Sequence, residues 1–399
     1  MRTNDLLAAL LALSCLSACD PGEAPPDAAL ERDAASIDAH EGVDAHEALD
    51  AHEVVDAHEA LEDASVARDD AAAPTTDAAT VPVDAAGGAD ASSAIDARLA
   101  GPSPVELAIT VHLENGTFDE AWWRTFEDHA ARFEAHGAFL TLEPREVTLT
   151  ADARRASPSL PRLRARGHEV GLHAAVGASS GATYDAFVRD LVRQRSALEA
   201  LVGPIEHVSG TCAAFDWAGG VAEAGFSFTT AATVYCLMPV PAAERPAEYR
   251  ATVCRSPFDP VVCHDPYPQA IDETAHAWRV ASGATWLRED DAGRLVVLPG
   301  RGTIDCSVEE MGSGAAGTCV LRDDDVAIAL AELDETIAMR DPTRPAQLYW
   351  VWSYGRSLDF DVLERLLVAV DERVARGEAR WATANQIHAS FVAWEATRP

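Results

Sequence analysis

Residues 106–116 read ELAITVHLENG and residues 167–173 read GHEVGLH, and both segments have the pattern of short buried strands that end in polar side chains. Side chains alternate along a strand, so His112 and Glu114 share one face of the first strand. His173 ends the second. In a barrel of parallel strands, the carboxyl ends of the strands carry the active site. We therefore expect His112, Glu114 and His173 at one rim, and a hydrogen-bonded His-Glu pair in the core is the alternative.

Strand-like runs alternate with amphipathic helical runs throughout residues 105–399. This alternation is typical of a parallel sheet, and seven or eight such units favour a barrel closed on itself. The sequence thus predicts an α/β barrel, with an open doubly wound sheet as the alternative. The first helix begins at a capping box, Thr117 to Glu120. Further helices are predicted at 182–201, 324–339 and 358–375.

The absence of lysine and the negative net charge each exclude certain classes of protein. Its 399 residues carry a formal net charge of −34, and all 31 basic residues are arginines. Without lysine, the chain has no Schiff-base or pyridoxal-phosphate chemistry and no phosphate-loop lysine. The negative balance opposes phosphate backbones, so we expect no nucleic acid among its partners.

The amino terminus has the layout of an export signal. Arg2 is followed by an apolar run and then by small residues, which predicts a signal peptide over residues 1–18. The segment Leu16-Ser17-Ala18-Cys19 resembles the bacterial lipoprotein processing box, which implies cleavage before Cys19 and lipid attachment there. We expect an exported lipoprotein, held to a bacterial membrane by its lipid and facing the periplasm or the cell surface. A simple cleaved signal is the alternative.

Residues 19–104 are mostly Ala, Asp, Glu and Pro without an aromatic residue, which predicts a disordered acidic tether. A six-residue repeat within it places four histidines at one phase: His40, His46, His52 and His58. A metal-binding strip and a low-complexity spacer are both compatible with the repeat, and the spacer is favoured. The folded domain is predicted at 105–399.

The domain contains six cysteines, an even number that predicts disulfides in an exported protein. Short loop closure favours three pairs, although the sequence leaves other pairings open. The pairs are Cys254 with Cys263, Cys306 with Cys319, and Cys212 with Cys236. A zinc cluster is disfavoured because no Cys-x-x-Cys spacing occurs. The Pro- and Cys-rich residues 236–294 interrupt the alternation and are predicted to be an insertion.

The GHEVGLH segment closely resembles the GHEIGNH segment of polysaccharide deacetylases, carbohydrate esterase family 4. The segment HLENG at 112–116 takes the place of the TFDDG segment of that family. The resemblance implies a distorted (β/α)7 barrel and a metal-dependent hydrolysis of N- or O-acetyl groups on an envelope or extracellular polysaccharide.

Carried over residue by residue, the resemblance implies a metal site. His173 matches the first metal-binding histidine, and Gly177 stands where the second would be. Alignment on Gly116 puts Glu114 at the catalytic base, whereas a shift of one residue makes Glu114 a metal ligand. With Glu114 as a ligand, His112 would replace the second metal-binding histidine, which is missing at Gly177. Two imidazoles and a carboxylate with an open position suit zinc, so we predict the set His112, Glu114 and His173 with a divalent metal, zinc by preference.

The remaining roles are less well marked. Glu114 or Asp216 is the predicted base, and Asp216 has an alternative as the cap of a following helix. His207, on a strand predicted at 206–209, is favoured as a structural residue. The arginine and the late histidine of the family have no counterpart, since Ser209 and the pair Val351-Trp352 stand there. These departures keep open an inactive barrel that binds glycan or acts as a scaffold.

Overall fold

The computed structural model describes residues 102–114, 116–176, 182–230, 232–257, 259–264, 275–304, 320–354 and 359–398. The predicted lipidation site Cys19 and the tether up to residue 101 lie outside these residues. So do Gly177 and the predicted pair of Cys306 with Cys319.

Ten strands and eight α-helices form the described fold. The strands are β1 (Val105–Leu113), β2 (Thr141–Pro144), β3 (Glu169–Val170), β4 (Leu172–His173), β5 (His207–Ser209), β6 (Phe228–Thr229), β7 (Trp278–Val280), β8 (Leu295–Val297), β9 (Gln347–Tyr354) and β10 (Ala379–Trp381). The helices are α1 (Glu120–Ala135), α2 (Glu146–Ala153), α3 (Ser159–Ala165), α4 (Tyr184–Val202), α5 (Trp217–Glu223), α6 (Asp323–Ala338), α7 (Phe360–Ala375) and α8 (Ala384–Glu395). The predicted α/β class is confirmed.

The strand β1 is the centre of the first sheet, and all nine of its residues are buried. It pairs in parallel with β9 over Glu106–Leu113, with β10 at its first three residues and with β2 at its last four. The strand β3 continues this sheet beyond β2. A strand buried on both faces is expected to be almost wholly apolar, so the polar residues at the end of β1 need a specific reason to be there.

The second sheet has the order β4-β5-β6-β8-β7 and is parallel except for the pair β7 and β8. Only Gly171 separates β3 from β4, so one extended segment contributes to both sheets. On the far side, Val351 of β9 donates to the carbonyl of Gly302 and accepts from the amide of Ile304. Within the described residues, the segment after β8 is therefore bonded back to the first sheet.

The helix α1 begins two residues later than the capping box predicts. Its cap is Asp119, whose carboxylate accepts from the amide of Trp122 at 2.9 Å. Thr117 is therefore not the cap, and Phe118 precedes the helix with a left-handed φ of 52°. The buried face of α1 carries Trp123, Phe126, Ala130 and Phe133.

In its described part, the predicted insertion contains the strand β7 and three short 3-10 turns, and a fourth turn, Val234–Leu237, leads into it. Two of the predicted cysteine pairs are confirmed: Cys212 with Cys236, at a Cα–Cα distance of 4.6 Å, and Cys254 with Cys263, at 5.8 Å. These disulfides are compatible with an exported protein. Among the described helices, none combines the length and the apolar character needed to cross a bilayer.

Candidate metal centre

Three potential metal ligands converge at the carboxyl ends of neighbouring strands. They are His112 of β1, Glu143 of β2 and His173 of β4, and one donor atom of each lies within 4.8 Å of the others. His112 and Glu143 are directly paired in the parallel register of their strands. Their Nε2 and Oε2 atoms are 3.0 Å apart, and the rings of His112 and His173 stack at 4.1 Å. We call this group the His-Glu-His cluster.

Glu143 is fully buried and is held by hydrogen bonds from two residues of β5 and from the residue after β6. Its Oε1 accepts from His207 Nε2 at 3.1 Å and from Thr230 Oγ1 at 2.6 Å, and its Oε2 accepts from Ser209 Oγ. Burial alone would raise the pKa of Glu143, but the hydrogen bonds and charges of His112 and His207 hold it well below its usual range. Glu143 is therefore a carboxylate with a fixed orientation.

The second imidazole is oriented by the same serine. His173 Nδ1 lies 2.8 Å from Ser209 Oγ, whose single proton is donated to Glu143. The Nδ1 of His173 must therefore be the donor in this contact, which leaves a lone pair on Nε2. Burial and the neighbouring His112 lower the pKa of His173 well below its usual value, so the ring is neutral.

Glu114 lies at the exposed edge of the cluster. Its side chain is 22% exposed, and its Oε2 is 3.6 Å from Nε2 of His173. The carboxylate oxygen and the imidazole lone pair thus face each other, and two acceptors in this arrangement repel. A cation bound by His173 Nε2 would remove the repulsion. This arrangement, together with two imidazoles and a buried carboxylate, fits a divalent cation such as zinc.

Behind the cluster, a third histidine connects two carboxylates. His207 is fully buried, with Nε2 at 3.1 Å from Glu143 Oε1 and Nδ1 at 2.7 Å from Glu169 Oε1. Burial acts against protonation of the ring, but Glu169 and Glu143 outweigh it and raise the pKa of His207 to about 10. His207 is therefore a buried cation between two anions, and it fixes one side of Glu143.

The structure brings His112 and His173 together and leaves Glu114 beside them. The carboxylate at the centre of the cluster is Glu143, which is not among the predicted ligands. The signal available in the sequence is its position at the end of the strand-like run 138–143, equivalent to that of His112 on β1. Asp216 is the cap of α5, where its Oδ1 accepts from the amides of Gly219 at 3.0 Å and Gly283 at 2.6 Å.

The fold is similar to two solved structures at low sequence identity. One is the crystal structure of Puue allantoinase, with 12% identity and a TM-score of 0.44 over 76% of this chain and 94% of that chain. The other is a probable polysaccharide deacetylase from Pseudomonas aeruginosa PAO1, with 12% identity and a TM-score of 0.44 over 74% of this chain and 93% of that chain. No protein-family model and no curated protein matches the sequence. With so few identical residues, neither likeness carries a function over to this chain.

Proposed function

We propose that this chain is a metal-dependent hydrolase that removes N- or O-acetyl groups from an envelope or extracellular polysaccharide. The observation that carries the proposal is the His-Glu-His cluster at the ends of three parallel strands, with Glu114 beside it. His112, Glu143 and His173 would hold the metal, and their donor set suits zinc. When bound, the cation supplies Lewis-acid chemistry: it polarises a carbonyl and makes water more acidic.

The residues of the chain have separate tasks in this proposal. Ser209 orients His173 by accepting from its Nδ1, and it fixes Glu143 by donating to Oε2. Glu114 lies beside the cluster and is more exposed than its three members, so its Oε2 would take the proton from the attacking water. The bond between the acetyl carbon and the sugar oxygen or nitrogen then breaks, acetate is released, and the sugar atom takes up a proton. Asp216 receives no task, because its carboxylate caps a helix and also holds the amide of Gly283.

The test combines metal analysis with acetate release by the full-length chain purified with zinc. We expect about one zinc per chain and release of acetate from an acetylated oligosaccharide. His173→Ala should lose both, and Glu114→Gln should keep the metal but lose acetate release. His136→Gln is the matched control, because His136 pairs with Asp371 and Glu364, which are not part of the cluster. This variant should keep both the bound zinc and the release of acetate.

Three results distinguish the possible outcomes of this test. Absence of bound zinc in the wild-type chain, even after supplementation, would contradict the proposal. Zinc that survives His173→Ala would show that the cluster is not the binding site. Loss of zinc in Glu114→Gln would make Glu114 a ligand rather than the base, as one alignment of the sequence predicts.

A non-catalytic glycan-binding protein is the second candidate. The observation in its favour is that Glu143 already accepts hydrogen bonds from His207, Ser209 and Thr230, so its buried charge is satisfied by the protein itself. In that case, the full-length chain would bind oligosaccharides without bound zinc and without release of acetate.

We also propose that the chain is a lipoprotein anchored through Cys19, with residues 19–104 as the spacer between membrane and domain. The support is the processing box and the composition of the tether. Metabolic labelling with an alkyne palmitate analogue in a bacterial host should label the chain, and Cys19→Ala should abolish the label. Cys15→Ala, within the same apolar segment, is the control and should stay labelled. Equal labelling of both variants would contradict the anchor.

A further inference from the structure

Arg145 stands at the rim of the His-Glu-His cluster. It follows β2 directly and lies two residues beyond Glu143, with an extended backbone of φ −79° and ψ 165°. Residues two apart in an extended chain point to the same side, so the Arg145 side chain leaves from the side of Glu143. The pairing of β1 with β2 ends at Leu113 and Pro144, and the next pair in this register is Glu114 with Arg145.

The guanidinium of Arg145 is half-buried and makes no hydrogen bond and no ion pair within the described part of the chain. Glu114, the neighbouring carboxylate in register, contacts His173 instead. The other described arginines without a hydrogen bond or ion pair are all exposed: Arg124, Arg132, Arg154, Arg189 and Arg294. A partly desolvated charge without a partner is costly. It is unexpected in a chain with 65 acidic and 31 basic residues.

Arg145 lies next to the open side of the cluster. Its amide donates to the carbonyl of Leu113 at 3.1 Å, which places it beside Glu114, and the carboxylate of Glu114 is 3.6 Å from Nε2 of His173. A ligand that contacts the exposed side of the cluster would therefore also meet Arg145. The five donors of an arginine form a planar fork that matches a carboxylate with two parallel hydrogen bonds.

We propose that Arg145 binds a carboxylate of the substrate and that the site selects acetylated polysaccharides that contain uronic acid residues. The inference rests on the proposed function, since it assigns a substrate class to the same site. The net charge of the chain repels polyanions at long range, but salt screens such repulsion beyond about 8 Å at physiological ionic strength. Selection is therefore a property of the local contact between guanidinium and carboxylate.

The test compares two probes that differ at the carboxyl group, which is charged in one and esterified in the other. Calorimetric titration of the full-length chain with trigalacturonate and with its methyl ester measures the preference for the carboxylate without any reaction. We expect the wild-type chain to bind the acid about tenfold more tightly than the ester, a typical effect of a charge-assisted contact. Arg145→Gln should abolish this preference. Arg154→Gln is the matched control, because Arg154 lies at the other end of α2, is exposed and makes no ion pair among the described residues.

Equal binding of the two probes by the wild-type chain, or no binding of either, would overturn the inference. So would a preference that survives Arg145→Gln. If circular dichroism shows that Arg145→Gln does not fold, Arg145→Lys replaces it, because lysine keeps the charge without the planar fork. This variant should reduce the preference for the acid to an intermediate value. An unchanged preference would also overturn the inference. A preference for the acid without bound zinc or acetate release would support Arg145 as the carboxylate site and contradict only the hydrolase.

Discussion

At position 171, between β3 and β4, only a glycine fits. A Cβ atom built there would lie 2.1 Å from Cε1 and Nε2 of His207, far inside contact distance. The missing side chain lets the His207 ring lie between Glu143 and Glu169. The second glycine of GHEVGLH, Gly171, therefore makes room for the buried cation His207. The motif itself does not reveal this role.

His207→Gln should destabilise the fold by about 3 kcal/mol, because it leaves two buried carboxylates without the cation between them. Chemical denaturation of the full-length chain at neutral pH measures the free energy of unfolding. His129→Gln is a suitable control, since His129 is partly buried against Phe360 and forms no ion pair with the described residues. A loss for His207→Gln no greater than that of the control would show that the charge pairing is not important for stability.

The sequence predicts two of the three members of the cluster from strand periodicity alone. His112 and His173 both stand at the end of a strand, and parallel strands bring their carboxyl ends to one edge. The membership of Glu143 depends on the register between β1 and β2, which no local pattern contains. The sequence leaves both roles of Asp216 open, and the amides of Gly219 and Gly283 that donate to its carboxylate identify it as the helix cap.

Among the elements, the long helices follow their sequence pattern closely. The structure has Tyr184–Val202, Asp323–Ala338 and Phe360–Ala375 where amphipathic periodicity predicts 182–201, 324–339 and 358–375. The strands β3 to β8 have only two or three residues each. Periodicity over so few positions carries little information, so their order and the antiparallel β7 could not be predicted from it.

One contact between helices should depend on pH. His136, which ends α1, has Nδ1 at 2.7 Å from Asp371 and Nε2 at 3.3 Å from Glu364, both on α7. Burial acts against the charge, but these carboxylates raise the pKa of His136 above its ordinary value. The pairing therefore stabilises the fold below the unfolded-state pKa, and this contribution is lost as pH rises through the raised value.

His136→Gln should accordingly reduce the free energy of unfolding at about pH 5.5 and have little effect near pH 9. The reduction should be at most about 1 kcal/mol, because both carboxylates are largely exposed. His276→Gln is the control of opposite sign. Burial lowers the pKa of His276, so that ring stabilises the fold when it is neutral, at high pH. Denaturation of both variants at the two pH values measures the effect, and a difference for His136→Gln that grows with pH would contradict the assignment.

At the scale of the whole molecule, the disulfides connect the insertion to itself and to the loop after β5. Cys212 and Cys236 enclose the helix α5 and the strand β6, whereas Cys254 and Cys263 close a short loop inside the insertion. Loop length favours both pairs among the possible pairings, because short closures cost the least entropy, and the structure confirms them. Loop length should also determine how much each disulfide stabilises the fold, with the longer loop giving the larger stabilisation.

A cross-link that closes a longer loop removes more conformational freedom from the unfolded chain. The sequence separations are 24 residues for Cys212 with Cys236 and 9 residues for Cys254 with Cys263. The chain-entropy relation then gives a stabilisation of about 3.5 kcal/mol for the first bridge and about 2.7 kcal/mol for the second. The double variant Cys212→Ser/Cys236→Ser should therefore be less stable than Cys254→Ser/Cys263→Ser by about 0.8 kcal/mol. Denaturation of the oxidised full-length variants measures the difference. The reverse order would show that packing around the serines, rather than freedom of the unfolded chain, determines the contribution of each bridge.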